Sequence, residues 1–179
     1  MLRADKNKKV LINGGKMNKE QLVDPKNTES IHEMLSGSGY SDKAIKYYLE
    51  RPYMGNLENA DQVSELTGHC GDTMKIFFKL DENGHIQDVR YQVLGCPGAI
   101  AAAMAAVDLV KGKTLDEAKI ITDRDVFRLL EDLPDQKQHC IRLAVKTLQK
   151  AIDEYIGNNG NKQVSGCPGL GSCCGKIHI

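Results

Sequence analysis

Tryptophan is absent from this 179-residue chain, and aromatic residues make up only 5% of it. That is too few rings for a platform that stacks nucleic-acid bases. An excess of charge is missing too, since 24 lysines and arginines balance 24 aspartates and glutamates. The chain therefore has neither the basic footprint of a nucleic-acid binder nor the polybasic patch of a membrane-surface protein. Its longest apolar run, Ala99 to Val107, falls short of the ~20 residues that a membrane crossing needs. The opening Met1-Leu2-Arg3-Ala4-Asp5-Lys6 leads into no apolar core, so no secretory signal is expected. No two cysteines form a Cys-x-x-Cys pair, which removes the signature of thiol redox enzymes and of zinc fingers.

What the chain does have is six cysteines: Cys70, Cys96, Cys140, Cys167, Cys173 and Cys174. A chain of this size has no need of disulfide staples. The expectation is a reducing, cytoplasmic setting in which the thiols bind metal or react.

Residues 1–39 read as a partly ordered extension, with a short helix at Thr28 to Leu35 and a flexible break at Ser36-Gly37-Ser38-Gly39. Ser41 starts a helix whose apolar side is Ala44, Ile45, Tyr48 and Leu49, and Pro52 ends it. Three strands are expected next, at Ala60–Thr67, Thr73–Leu80 and Ile86–Leu94. The turn signal Asp81-Glu82-Asn83-Gly84 joins the last two. Pro97 to Val110 is apolar almost all round and so predicts a buried helix, with alanines allowing close approach to the sheet. Thr114 to Glu117 is a capping box, and Asp123 is expected to cap a further helix. Ile141, Val145, Leu148, Ile152 and Tyr155 form a helical stripe to about Ile156. Residues 157–179 are then a polar linker and a Gly/Cys-rich tail. A strand meander followed by helices implies an α+β fold, a three-stranded antiparallel sheet with helices packed on one face.

The meander itself gathers three of the cysteines. Cys70 precedes the second strand and Cys96 ends the third, so antiparallel pairing sets them side by side. Cys96 also stands at a helix N-terminus, where partial positive charge favours thiolate. Cys140 lies near the start of the last long helix, which can return His139 or Cys140 to the same sheet edge. Asp72, two residues beyond Cys70, shares its face if the backbone is extended. Three thiolates with an imidazole or carboxylate suit zinc or an iron–sulfur cluster. A carboxylate on a soft metal is a weak ligand, and a weak ligand allows release. His69 is a spare imidazole in the same loop. The other reading of each cysteine is a small buried apolar residue, and Asp72 read alone is a turn residue.

Several motifs, in order, resemble the IscU/NifU-type iron–sulfur cluster assembly scaffolds. Tyr40-Ser41-Asp42-Lys43-Ala44-Ile45-Lys46-Tyr47-Tyr48 is similar to that family's opening helix, and Glu50-Arg51-Pro52 with Gly55 to the turn after it. Cys70-Gly71-Asp72-Thr73-Met74-Lys75 resembles the first ligand motif, and Gly95-Cys96 with Ala99-Ile100-Ala101 the second. Leu133-Pro134, Lys137 and His139-Cys140 resemble the third. Between these, Gly112 to Ala118 also matches. The resemblance runs from Tyr40 to Ile156 and implies a scaffold domain over residues 40–156 with an IscU/SufE-like fold. It implies a carrier rather than an enzyme, with Cys70, Cys96 and Cys140 binding sulfur and iron and Asp72 and His139 as labile ligands. It also implies a [2Fe–2S] cluster that pairs into [4Fe–4S] in a homodimer, and zinc in the empty site. The partners it implies are a cysteine desulfurase, an iron donor and apo iron–sulfur proteins.

There are departures. The family's chaperone-recognition stretch is replaced by Leu133-Pro134-Asp135-Gln136-Lys137, so a contact with an Hsp70-type chaperone does not carry over. Ala102, Ala103 and Met104 stand where the family has serines. Cys167, Cys173 and Cys174, with His178, are read as a second soft-metal site, as an arm to the first, or as a disulfide or redox cap; the other reading is a solvated tail with oxidisable cysteines. The alternative function is a zinc-bound sulfur-transfer partner of a desulfurase, the SufU branch of the same fold. His139 and the short spacing from Cys96 to Cys140 favour the scaffold.

Overall fold

Thr73–Leu80 alternates between apolar and other residues, and that alternation builds the centre of the sheet. In a computed structural model that describes residues 25–160, these residues form β2, flanked by β1 (Gln62–Thr67) and β3 (Ile86–Leu94) in the order β1-β2-β3. Both pairings are antiparallel: Thr67 faces Thr73 across β1–β2, and Thr73 faces Leu94 across β2–β3. One sheet face carries Ser64, Met74, Ile76, Phe78, Val89 and Tyr91, all buried. Burial of each large apolar side chain there is worth about 1.5–3 kcal/mol.

The helices are α1 (Pro25–Gly37), α2 (Asp42–Glu50), α3 (Pro97–Val110), α4 (Leu115–Lys119), α5 (Asp123–Leu130) and α6 (Gln138–Gly160), with a 3₁₀ turn at Asp135–Lys137 before α6. They cover that face. Residues from Gly98 to Val107 of α3 are all buried. Its alanines keep the helix thin enough to pack against α2, α5, α6 and the sheet together. The Tyr91 hydroxyl donates to the Ala144 carbonyl at 3.1 Å, which ties α6 to the middle of β3. At the other end of α6, Tyr155 packs edge-on against Phe78 with ring centroids 5.6 Å apart. Glu154 there accepts hydrogen bonds from Ser64 and Gln62. The outer edge of β3 is closed by the chain after α2, through Gly55 N–H to the Tyr91 carbonyl at 2.8 Å and Tyr91 N–H to the Tyr53 carbonyl at 3.0 Å.

Ser41 caps α2, accepting from Ala44 N–H at 3.0 Å and donating to the Leu130 carbonyl at the end of α5. Arg51 closes α2 in the left-handed region, just before Pro52. The capping box of α4 is present.

Three expectations are corrected. The cap of α5 is Thr122, paired with Asp125, and Asp123 is already helical. The final helix does not stop at Ile156 but continues to Gly160, and Asn159 donates to the Tyr155 carbonyl in its last turn. The first helix is longer than Thr28–Leu35, and it is tied to the rest through buried Leu35 and the Tyr40 N–H to the Leu35 carbonyl. Among the described residues no helix is long and apolar enough to cross a membrane.

Candidate metal centre

One end of the sheet collects the reactive side chains. The turn from Thr67 to Thr73 brings Cys70 and Asp72, the exit of β3 brings Gly95 and Cys96, and the start of α6 brings His139 and Cys140. The ligand atoms form two groups, each within 4.8 Å: Cys70 with Asp72 and His139, and Asp72 with Cys96 and Cys140. Asp72 belongs to both. The Cys96 and Cys140 sulfurs are 3.5 Å apart. The Cys140 thiol lies 3.8 Å from Asp72 Oδ2 and 3.4 Å from His139 Nε2.

The centre is graded from inside to outside. Cys140 is buried, Cys96 intermediate and Cys70 exposed, and all three are free thiols. His139 is exposed and Asp72 half-buried. The inner pair lies deeper, while the Cys70–His139 group stands at the rim, open to solvent.

Electrostatics favours ionisation at Cys96. It is the N-cap residue of α3, and its sulfur faces the Cys140 thiol. Its pKa is lowered from 9.0 to about 6, chiefly by the hydrogen bond from Cys140, helped by the Ala99 N–H and by the positive charge of Lys137. Cys140 moves the other way: donation to Cys96 and burial hold its proton on. Of the inner pair, Cys96 is therefore the thiolate and Cys140 the thiol. Cys140 lies in the first turn of α6, so a second helix N-terminus meets the same sulfurs.

The grouping of Asp72 with Cys70 is as expected, but the cause differs. The loop is not extended. Gly68 N–H donates to the Asp72 carbonyl at 2.8 Å, Gly71 N–H donates to the Gly68 carbonyl at 3.0 Å, and Gly71 has φ +86°. A tight turn, not strand alternation, gathers the two side chains. His69 is exposed and joins neither group. Cys167, Cys173, Cys174 and His178 lie outside the described residues.

Sequence reasoning missed two contributors. A Cβ on Gly95 would stand 2.8 Å from Asp72 Cγ and 2.9 Å from Oδ1, so only glycine lets that carboxylate lie against the end of β3. The only hint was the Gly-Cys pair itself. Tyr40 is buried beside the centre. Its hydroxyl lies 3.4 Å from where a Cβ on Gly98 would be, and its pKa is raised to about 12 by burial and by the nearby thiols of Cys96 and Cys140. Nothing in the sequence around Tyr40 points to the cysteines.

Comparison with known proteins adds to this geometry. The family model described as NifU-like N terminal domain matches residues 39–162. The iron-sulfur cluster assembly scaffold protein IscU 1 of Archaeoglobus fulgidus is 40% identical over 122 residues, covering 68% of this chain and 79% of that protein. The IscU scaffold protein of Escherichia coli K12 is 39% identical over 120 residues, covering 65% and 93%. Among solved structures, the N-terminal part of a nitrogen-fixing NifU-like protein from Brucella abortus superposes with TM-score 0.54 at 17% identity, over 65% of this chain and 94% of that one. FiSufU from Fervidobacterium islandicum gives 0.53 at 22%, over 63% and 96%. At those identities the two structures speak to the fold.

Proposed function

The chain belongs to the NifU-like N-terminal domain family, and from that premise we propose that it is a scaffold on which iron–sulfur clusters are assembled and from which they pass to apo-proteins. One observation carries the reading: Asp72 is shared between an inner sulfur pair, buried Cys140 and half-buried Cys96, and an exposed Cys70–His139 rim. A structural zinc site closes its ligands around the ion. This centre instead keeps soft ligands on the floor and a hard, weakly binding carboxylate between floor and rim. That arrangement suits a cargo that must leave.

In this reading Cys70, Cys96 and Cys140 hold iron and sulfur, and Asp72 and His139 complete the set in turn. A cysteine desulfurase supplies the sulfur. The Cys96 thiolate attacks the terminal sulfur of the desulfurase persulfide, a new S–S bond forms at Cys96, and the desulfurase thiolate leaves. Each sulfane sulfur then takes two electrons from an external reductant to become sulfide. The cargo is a [2Fe–2S] cluster, with [4Fe–4S] following from pairing of two. The same ligands fit zinc when no cluster is bound. The role is that of a carrier in the cytoplasm, supported by the scaffold relatives that the chain matches.

The test is anaerobic purification with iron, zinc and acid-labile sulfide measured per chain, before and after incubation with iron, cysteine, a desulfurase and a reductant. Iron and sulfide in equal amounts, lost in Cys96→Ser, support the scaffold. Zinc alone under every condition refutes it and supports the zinc-bound sulfur-transfer partner instead.

A further inference from the structure

Cys140 is the most secluded of the three thiols at the centre. It has no exposed surface, so a thiol or persulfide of another protein cannot touch it directly. Its sulfur faces three groups of its own chain: Cys96 Sγ at 3.5 Å, His139 Nε2 at 3.4 Å and Asp72 Oδ2 at 3.8 Å. The chemistry open to this thiol is therefore chemistry with Cys96.

The separation of the two sulfurs is a reacting distance. Atoms poised about 3–3.5 Å apart are in near-attack geometry. A disulfide is closed at about 2.05 Å, so the two sulfurs have roughly 1.5 Å to approach. Cys70 is placed otherwise: it is exposed and belongs to the other ligand group, with Asp72 and His139. Half-buried Cys96 is the member of the inner pair that an incoming sulfur donor can meet. Once Cys96 carries sulfane sulfur, its Sγ becomes the inner sulfur of a persulfide, and that is the atom that Cys140 faces.

We propose that Cys140 is the resolving thiol for a persulfide on Cys96, attacking Cys96 Sγ and expelling the terminal sulfur as sulfide. The proposal rests on the scaffold reading for how sulfur reaches Cys96. The step balances within the chain. The ionised persulfide and the Cys140 thiol become a Cys96–Cys140 disulfide and hydrosulfide, HS⁻. The persulfide S–S bond breaks and the new S–S bond forms. The Cys140 proton leaves on the hydrosulfide. The two sulfurs of the pair are oxidised, and the sulfane sulfur is reduced by the same two electrons.

The two ligand groups then divide the work. While the inner pair is a disulfide, Cys70, Asp72 and His139 remain as three donors to iron at the rim. Sulfide is set free beside Asp72, the residue common to both groups. The external reductant acts one step later. It reopens the disulfide through Cys96, the more accessible of its sulfurs, and returns both thiols as cluster ligands.

The test uses the full-length, metal-free chain with Cys70, Cys167, Cys173 and Cys174 replaced by serine, which leaves Cys96 and Cys140 as its two thiols. It is loaded without oxygen, in one arm with cysteine persulfide and in the other with a cysteine desulfurase and limiting cysteine. Sulfide is trapped as it forms and counted against a protein-free control. Peptide mass spectrometry after acid quenching and alkylation locates the sulfur. About one sulfide per chain should appear together with a Cys96–Cys140 disulfide. With Cys140→Ala added, sulfide release should fall at least ~10-fold, and the sulfane sulfur should stay on Cys96. No metal is present, so loss of a metal ligand alone leaves the yield unchanged. The disulfide and sulfide of the two-thiol protein are read without Cys140→Ala, so the result does not hinge on that variant folding. A persulfide that persists in the two-thiol protein without a disulfide overturns the proposal. So does sulfane sulfur found on Cys140, because the outer sulfur would then be the one attacked, and so does a Cys140→Ala yield equal to that of the two-thiol protein. If the desulfurase loads no sulfur while cysteine persulfide still yields disulfide and sulfide, the sulfur donor of the scaffold reading fails and the resolving role of Cys140 stands.

Discussion

Replacing Gly95 with alanine tests the reasoning about the centre most directly. The added Cβ would lie 2.8, 2.9 and 3.0 Å from Cγ, Oδ1 and Cβ of Asp72. Carbon atoms pack at ~3.5–4.0 Å, so the carboxylate must retreat by roughly 0.7 Å or rotate away. Either movement withdraws Oδ2 from the Cys140 thiol, now at 3.8 Å. Overpacking typically costs about 1–3 kcal/mol, and a half-buried aspartate that can yield puts the cost near the lower end. Gly95 is not among the residues with positive φ, so alanine there is not strained by its backbone, and with the clash removed it should stabilise by about 0.4–1 kcal/mol. The sign should therefore reverse with the partner: destabilising by about 1 kcal/mol in the parent, stabilising in an Asp72→Gly background. Urea unfolding of the reduced, metal-free protein in a double-mutant cycle measures this. Equal cost in both backgrounds would refute the proposed contact. Reconstituted Gly95→Ala and Asp72→Gly should both release iron to a chelator more slowly than the parent, since each removes the weak ligand.

Four further outcomes follow from the same structure. In a background with Cys70, Cys167, Cys173 and Cys174 replaced by serine, alkylation of Cys96 by iodoacetamide should reach half its maximal rate near pH 6, well below an ordinary thiol. Because the folded value lies below the unfolded one, Cys96 should add stability that is full above the unfolded thiol's pKa and lost as pH falls through about 6. Thermal denaturation of metal-free parent against Cys96→Ser across that window shows the difference. Tyr91→Phe, which removes the 3.1 Å bond to the Ala144 carbonyl, should cost about 1 kcal/mol in urea unfolding. Ala103→Leu, at a position of α3 with no exposed surface, should cost about 1–3 kcal/mol or more by overpacking and lower the thermal midpoint.

Much of this was legible in the chain. The bounds of β2, β3 and α3 follow from the residues themselves. Asp81 to Gly84 sets one turn, apolar alternation sets the strands, and Pro97 sets the start of a helix that is apolar all round. Once the hairpin is read, Thr73 must face Leu94, which brings Cys70 and Cys96 to one end of the sheet, although the two sulfurs fall in different ligand groups there, Cys70 with Asp72 and His139 and Cys96 with Asp72 and Cys140. Other features depend on tertiary packing. The last turn of α6 contains Asn158, Asn159 and Gly160, which read locally as a linker, yet side-chain capping by Asn159 keeps it helical. Gly95 needs no special φ, so its reason is visible only where Asp72 lies against it. Tyr40 lies near the cysteines because Leu35 and the end of α5 fix the entry to α2, a placement no local pattern records.

The convergence of two helix starts on one pair of sulfurs has a consequence for what the site holds best. Both helices present their positive ends, so their field opposes a bare cation but favours a complex whose ligands outweigh the metal charge. Each thiolate added to a bound metal makes the assembly more anionic and so better matched to the two helix ends. Protonating a ligand, or handing one to an acceptor, erodes that match. The backbone thus acts as a charge gauge: it resists free metal, holds a fully ligated cluster, and relaxes its hold as ligands are exchanged away.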